Sequence, residues 1–267
     1  MFTSFLLVSC KLNYYQVYEV KSPNLIQRDN SLVFENEDCK VSYNLWSNKG
    51  AVSYIIENKT DKDLFLDMTQ SFFIKNGAAY DYFQNKTYET REYSIAGLGY
   101  SASETYIGKD GYWPSQYFVP LTYSEKVMAK MMKGNSVAVT QKEPEYVCIP
   151  ANSYKYFYYY NVNPSFIETC DKDKDYPNNS SVLNTFSESN TPLKFTNRIA
   201  YSFQENNSAL KYIDNSFWLA QVKNYSEKEA VEKRQIKRGC KEDLVSPKQK
   251  VFKIGGPNQF YVSYIKK

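Results

Sequence analysis

The run Ser71-Phe-Phe-Ile-Lys75 is followed by Asn76-Gly77 and then by Ala78-Ala-Tyr-Asp-Tyr-Phe83. Aromatic and β-branched residues of this kind fit pleated, half-buried strands. Asn-Gly supplies the two positive-φ positions of a type I′ turn between them, so the segment predicts a β-hairpin. The same signature extends upstream. Leu32-Val-Phe34, Cys39-Lys-Val-Ser-Tyr-Asn-Leu45 and Ala51-Val-Ser-Tyr-Ile-Ile56 alternate with period two, and turn clusters such as Ser47-Asn-Lys-Gly50 separate them. They read as a meander.

Downstream, strands are expected at 136–140, 146–149, 153–160, 198–203, 216–222, 250–254 and 259–265. Ser124-Glu-Lys-Val-Met-Ala-Lys-Met-Met-Lys133, capped by Ser124 and closed by Gly134, predicts a short helix. Ser226-Glu-Lys-Glu229 has the form of a capping box, and the charged segment after it, to Gly239, predicts a second one. Many short strands with one or two short helices predict a mostly β chain built as an immunoglobulin-like β-sandwich. The 267 residues divide into a leader at 1–10, a sandwich region at 11–165 and a second β-rich region at 166–267 that can belong to the same domain. Within the first, 84–121 reads as a long aromatic loop excursion, and 170–192 reads as a polar loop.

Composition removes several functions. The chain has no histidine, which takes away the usual general base, the commonest zinc ligand and the ordinary pH switch together. A net charge of +4, spread along the chain, is too small to point to nucleic acid. The 26 Tyr and 16 Phe lean towards sheet, although an AT-rich genome also enriches Tyr, Asn, Lys and Ile.

The first residues, Met1-Phe-Thr-Ser-Phe5-Leu-Leu-Val-Ser-Cys10, form an apolar run ending in Leu7-Val8-Ser9-Cys10. This has the form of a bacterial lipobox with Cys10 as the lipidated residue. The run is shorter than the roughly 7 to 15 residues of a signal core and no basic residue precedes it; the alternative is a buried first strand with a core cysteine. Cys39, Cys148, Cys170 and Cys240 remain, an even number that makes them candidates for disulfides or buried thiols. None lies in a C-x-x-C pair, so neither a metal site nor a redox motif is indicated.

Candidate chemistry is sparse. Asp171-Lys-Asp-Lys-Asp175 opens like a calcium loop, but Tyr176 and Val182 stand where glycine and a bidentate glutamate belong, so a solvated loop is expected. Ser208-Ala-Leu-Lys211 and Ser263-Tyr-Ile-Lys266 match Ser-x-x-Lys, yet 26 Ser and 28 Lys give roughly three such pairs by chance. Gly97-Leu-Gly99 lacks the third glycine of a phosphate loop. Paired carboxylates could hydrolyse glycosides without histidine, but nothing in the sequence singles out a pair. The sequons at Asn58, Asn85, Asn206 and Asn224 are the chance product of an asparagine-rich chain. Tyr100, Tyr106, Tyr112, Trp113 and Tyr117 of the excursion are the candidate ligand-binding residues, because exposed rings stack on sugars or anchor interfaces.

Val41-Ser-Tyr-Asn-Leu-Trp46-Ser-Asn, Ser71-Phe-Phe-Ile-Lys-Asn-Gly77, Tyr80-Asp-Tyr82, Ile149-Pro150 with Ser153-Tyr-Lys155, and Asn224-Tyr-Ser-Glu-Lys228 are structural phrases spread over most of the chain. With the lipobox, they resemble a group of uncharacterised lipoproteins of gut Bacteroides and relatives. The resemblance implies an exported outer-membrane protein held by a lipid anchor, and it implies no activity. In that group acidic residues soon after the cysteine accompany surface display, whereas Lys11-Leu-Asn-Tyr-Tyr15 follows here. The expectation is a lipid-anchored envelope protein that binds or supports rather than catalyses, with no cofactor and no metal. Its partners would be the membrane and a protein or glycan, and not nucleic acid. The alternative is a secreted glycan-binding or glycan-processing protein using the aromatic loop.

Overall fold

A computed structural model describes residues 12–85, 87–93, 136–162, 164–205, 209–235 and 248–266. Among them the chain runs through β1 (Asn13–Lys21), β2 (Ile26–Arg28), β3 (Ser31–Glu35), β4 (Cys39–Tyr43), β5 (Ala51–Asn58), β6 (Leu64–Lys75) and β7 (Ala78–Asp81). It continues through β8 (Thr87–Tyr93), β9 (Ser136–Lys142), β10 (Tyr146–Ile149), β11 (Tyr154–Asn161), α1 (Lys172–Asp175) and β12 (Ser181–Thr185). The last third holds β13 (Lys194–Ser202), β14 (Lys211–Ser226), α2 (Glu227–Ala230), β15 (Val231–Arg234), β16 (Gln249–Phe252) and β17 (Gln259–Ile265).

The hairpin forms where Asn-Gly demands it. Asn76 and Gly77 stand at φ 48° and 85°, both left-handed, and Lys75 pairs with Ala78 across them. The meander forms as well: β5, β4, β3 and β2 are successive neighbours in a five-stranded antiparallel sheet whose other edge is β11. The second sheet has eight strands in the order β10-β6-β13-β14-β1-β17, with β7 on β6 and β12 on β14. Strands from both sides of residue 165 are interleaved in it, so the two β-rich regions share one sheet. β8 pairs with β9, and β15 with β16, as separate two-stranded ribbons.

The chain is mostly β, with two short helices and curled antiparallel sheets packed in a sandwich-like way. Alternation decides which side chains go inward. From the smaller sheet come Val41, Tyr43, Val52, Tyr54, Ile56 and Phe157; from the larger, Leu66, Phe73, Phe195, Ile199, Ile213 and Phe217. Facing rings meet edge to face, Tyr43 on Phe217 at 5.4 Å between centroids, while Phe195 stacks on Phe217 at 4.8 Å. Each such ring withdrawn from water contributes about 1.5–3 kcal/mol.

Among the described residues the buried polar side chains of this core are hydrogen-bonded, with one exception. Asn197 is buried on β13, where it accepts from the Tyr82 hydroxyl at 2.6 Å and donates to the Tyr43 hydroxyl at 2.8 Å. Its cross-strand neighbour Asn215 is equally buried, and neither atom of its amide has a hydrogen-bond partner. Gln16 and Asn224, opposite each other on β1 and β14, bond each other at 3.0 Å and tie the segment near Ile167 and Lys174 to the sheet.

Three local expectations are corrected. The helix at Ser226 is a single turn, and Ser226 makes no side-chain bond to a backbone amide as its cap. Ser226 itself still pairs with Tyr14, and Val231–Arg234 pairs with Gln249–Phe252, so strand partners on both sides override the local helical signal. The polar loop at 170–192 contains α1 and β12. The excursion begins with a regular strand, β8, and the rest of its aromatic stretch lies outside the described residues, as does the helix expected at 124–133.

Candidate functional site

Ser153-Tyr-Lys-Tyr-Phe-Tyr-Tyr-Tyr160 becomes β11, an edge strand. Pairing sets Phe157 against Tyr54 inside, and places Tyr154, Tyr156 and Tyr158 opposite Glu57, Ile55 and Ser53 on the outer face. Tyr154 is 60% exposed and Tyr158 54%, whereas Tyr156 is half-buried and hydrogen-bonded to Ser53. A register shift between Tyr158 and Tyr160 returns Tyr160 to the inner side, where it stacks on Phe73 at 5.5 Å. One short run therefore yields an outward row of tyrosines and an inward anchor.

Beside the row lies a second tyrosine cluster, where β7 and β11 come together. Tyr82 is buried, with Tyr159 at 4.7 Å and Tyr160 at 5.7 Å, and Tyr80 packs on Tyr160 at 5.9 Å. The Tyr160 hydroxyl donates to the Asp81 carbonyl and accepts from Gln84 Nε2 at 2.6 Å. The Gln84 amide donates to Glu143 at 2.9 Å, which ties the start of the excursion to the chain just after β9 at this cluster. Burial pushes the Tyr54 and Tyr82 phenols far above their ordinary range, so they act as protonated donors and ring surfaces.

Three carboxyls elsewhere move the opposite way. Bonds from Lys59 and Arg28 lower Glu35, and Lys250 with Asn13 lowers Glu227. At Asp38 burial raises the carboxyl, but bonds from Lys211 at 2.6 Å and Tyr201 at 2.8 Å outweigh it and leave the pKa lowered. On the outer face of the larger sheet, Gln70, Phe72, Arg198 and Tyr212 line a shallow depression of about 280 Å³. Its guanidinium is held bidentate by Asp214 at 2.7 and 2.8 Å and lies 6.0 Å over Tyr212.

The residues singled out from sequence meet varied ends. Cys10, Tyr100, Tyr106, Tyr112, Trp113, Tyr117 and Cys240 lie outside the described residues, as do Gly97, Gly99 and Ser208. Cys39, Cys148 and Cys170 are free thiols, so no bridge joins any two of them. Cys39 points into the core from β4, Cys148 is half-buried on β10 at an edge of the other sheet, and Cys170 is exposed in a loop; these positions set the three apart. Asp171 caps α1, accepting from the Asp173 and Lys174 amides, and Asp175 is buried with both oxygens bonded by Thr169. Those two carboxylates are structural, and among the described residues no cluster of three metal-ligating side chains occurs. Lys211 is paired with Asp38, and the Lys266 ammonium lies over the Tyr176 ring. Sequence reading passed over Tyr154, Tyr156 and Tyr158, although their period-two spacing around the inward Phe157 was the available signal.

No family model matches the chain, and neither a curated protein nor a solved structure does.

Proposed function

We propose that the chain is a cell-envelope protein, held by a lipid on Cys10, that works by binding rather than catalysis and presents the outer tyrosine row of β11 as its recognition face. The observation that carries the reading is the pair of exposed rings at Tyr154 and Tyr158 on one side of an edge strand. Aromatic side chains bring large contact area and a hydroxyl handle at low entropic cost, which is why interfaces use them. The paired sheets support the finer reading as an immunoglobulin-like sandwich, a scaffold that displays such faces. The apolar Leu7-Val8-Ser9-Cys10 run supports the anchor and an outer-membrane location. No helix among the described residues is long and apolar enough to cross a membrane. A weak, dispersed charge supports a protein or glycan partner over nucleic acid.

The test is the mass of the N-terminal peptide from native cells together with fractionation of Cys10→Ala. The expected result is a lipid-bearing Cys10 and release of the variant from the membrane fraction. An unmodified Cys10 in native protein would remove the anchor from the reading. Protease treatment of intact cells then assigns the facing, with shaving meaning surface display and protection meaning a periplasmic face.

A further inference from the structure

The outer face of the smaller sheet has a chemistry that narrows its partner. Across β11, β5 and β4 it presents Tyr154, Tyr156 and Tyr158, then Ser53, Ile55 and Glu57, then Lys40 and Ser42. The charges named on it are paired within the face, three cations on two carboxylates: Lys40 pairs with Glu57, and Glu35 takes Arg28 at 2.9 Å and Lys59 at 2.8 Å. A charged polymer would have to compete with these pairs for a counter-charge. A neutral partner need not.

The aromatic rings divide in the same sense. Tyr14, Tyr18, Tyr43, Tyr54, Tyr82 and Tyr160 are all committed to other rings of the protein. Among the described residues the Tyr154 side chain has no ring or hydrogen-bond partner, and Tyr158 makes one long bond at 3.4 Å from its hydroxyl to Asn161. Between them Tyr156 is fixed by Ser53. Four residue steps along a strand separate the two free rings by about 13 Å, the length of a short oligosaccharide. Sugars offer C–H faces that stack on a tyrosine ring and hydroxyls that bond its phenol, and a neutral polysaccharide needs no counter-charge.

From this we infer that Tyr154, Tyr156 and Tyr158 form a binding platform for an uncharged polysaccharide chain. The inference rests on the reading of the protein as a binder and names its ligand class. Stacking on Tyr154 and Tyr158 supplies the contact area, and Tyr156 with Ser53 supplies oriented hydroxyls between them.

Native gels cast with soluble starch, mannan, galactan, mixed-linkage β-glucan or arabinoxylan, and a parallel gel with hyaluronate, test this on the full chain. The expected result is retardation by at least one neutral polymer and none by hyaluronate. Tyr154→Ala with Tyr158→Ala should weaken that retardation about tenfold or more, while Tyr154→Phe with Tyr158→Phe keeps most of it because the stacking faces remain. Retardation by no neutral polymer, or only by hyaluronate, overturns the inference and leaves the lipid anchor standing. Retardation unchanged in the double alanine variant also overturns it, and loss in Tyr112→Ala with Trp113→Ala instead would move the site to the aromatic excursion. Circular dichroism matching the wild type shows that the exposed substitutions leave the fold intact.

Discussion

Valine in place of Asn197 and valine in place of Asn215 should move stability in opposite directions, although the two asparagines are cross-strand neighbours with the same burial. At 197 the amide joins two buried phenols, accepting from Tyr82 at 2.6 Å and donating to Tyr43 at 2.8 Å. Valine strands both hydroxyls, and each buried unpaired polar group costs about 1–3 kcal/mol, so the loss is about 2–6 kcal/mol. At 215 the amide has no partner to lose. Valine removes a buried donor and acceptor and suits a strand, so stability should rise by about 1–3 kcal/mol. Urea unfolding followed by tryptophan fluorescence measures both, with the slope unchanged and only the midpoint displaced. Adding Tyr43→Phe and Tyr82→Phe to Asn197→Val should recover much of the loss, because no hydroxyl is then left unpaired. An Asn197→Val protein as stable as the wild type, or equal losses at both positions, would refute this account of the core.

Other outcomes follow from single positions. Gly255 stands at φ 119° with the Trp46 ring 2.5 Å from where a Cβ would lie, whereas Gly77, at φ 85°, has nothing within 4 Å. Gly255→Ala should therefore cost about 2–4 kcal/mol and Gly77→Ala about 1–2 kcal/mol, a ranking read from denaturation midpoints. Burial pushes the Cys39 thiol up to about 12, so at pH 8 only about one molecule in ten thousand is thiolate. Iodoacetamide should label the exposed Cys170 in the native chain and Cys39 only after denaturation; equal rates by peptide mass mapping would contradict the burial. Asp38 has a lowered carboxyl pKa in the folded state, so its contribution is full above about pH 4, the unfolded value, and is lost as pH falls through the lower folded one. Stability of Asp38→Asn should fall less steeply than that of the wild type over this acidic window, and parallel curves would contradict the Lys211 and Tyr201 contacts.

Much of the architecture is local and was legible. Asn76-Gly77 forces a hairpin whatever surrounds it, since few other dipeptides accept two consecutive positive φ angles. The meander of β2 to β5 follows from period-two runs joined by turns, because consecutive antiparallel strands need only a short connection. Local rules failed where a distant partner decided. The capping box at Ser226 is a genuine helical signal, yet pairing with Tyr14 on one side and Phe252 on the other leaves it one turn. The Asp171 segment reads as a solvated loop, and only the position of Thr169 and the start of α1 show Asp175 buried and the carboxylates of Asp171 and Asp175 spent on backbone and hydroxyl donors.

The sequence by itself determined that this is a mostly β chain without histidine chemistry, because strand periodicity, turn dipeptides and composition act over a few residues. Only the tertiary structure decided which strands become neighbours, since β1, β13 and β14 meet across nearly the whole chain length. It also decided which tyrosines are free. The same residue type is a core ring at Tyr54, a buried donor at Tyr82 and an open face at Tyr154, and that difference comes from sheet order and edge position, which no local pattern encodes.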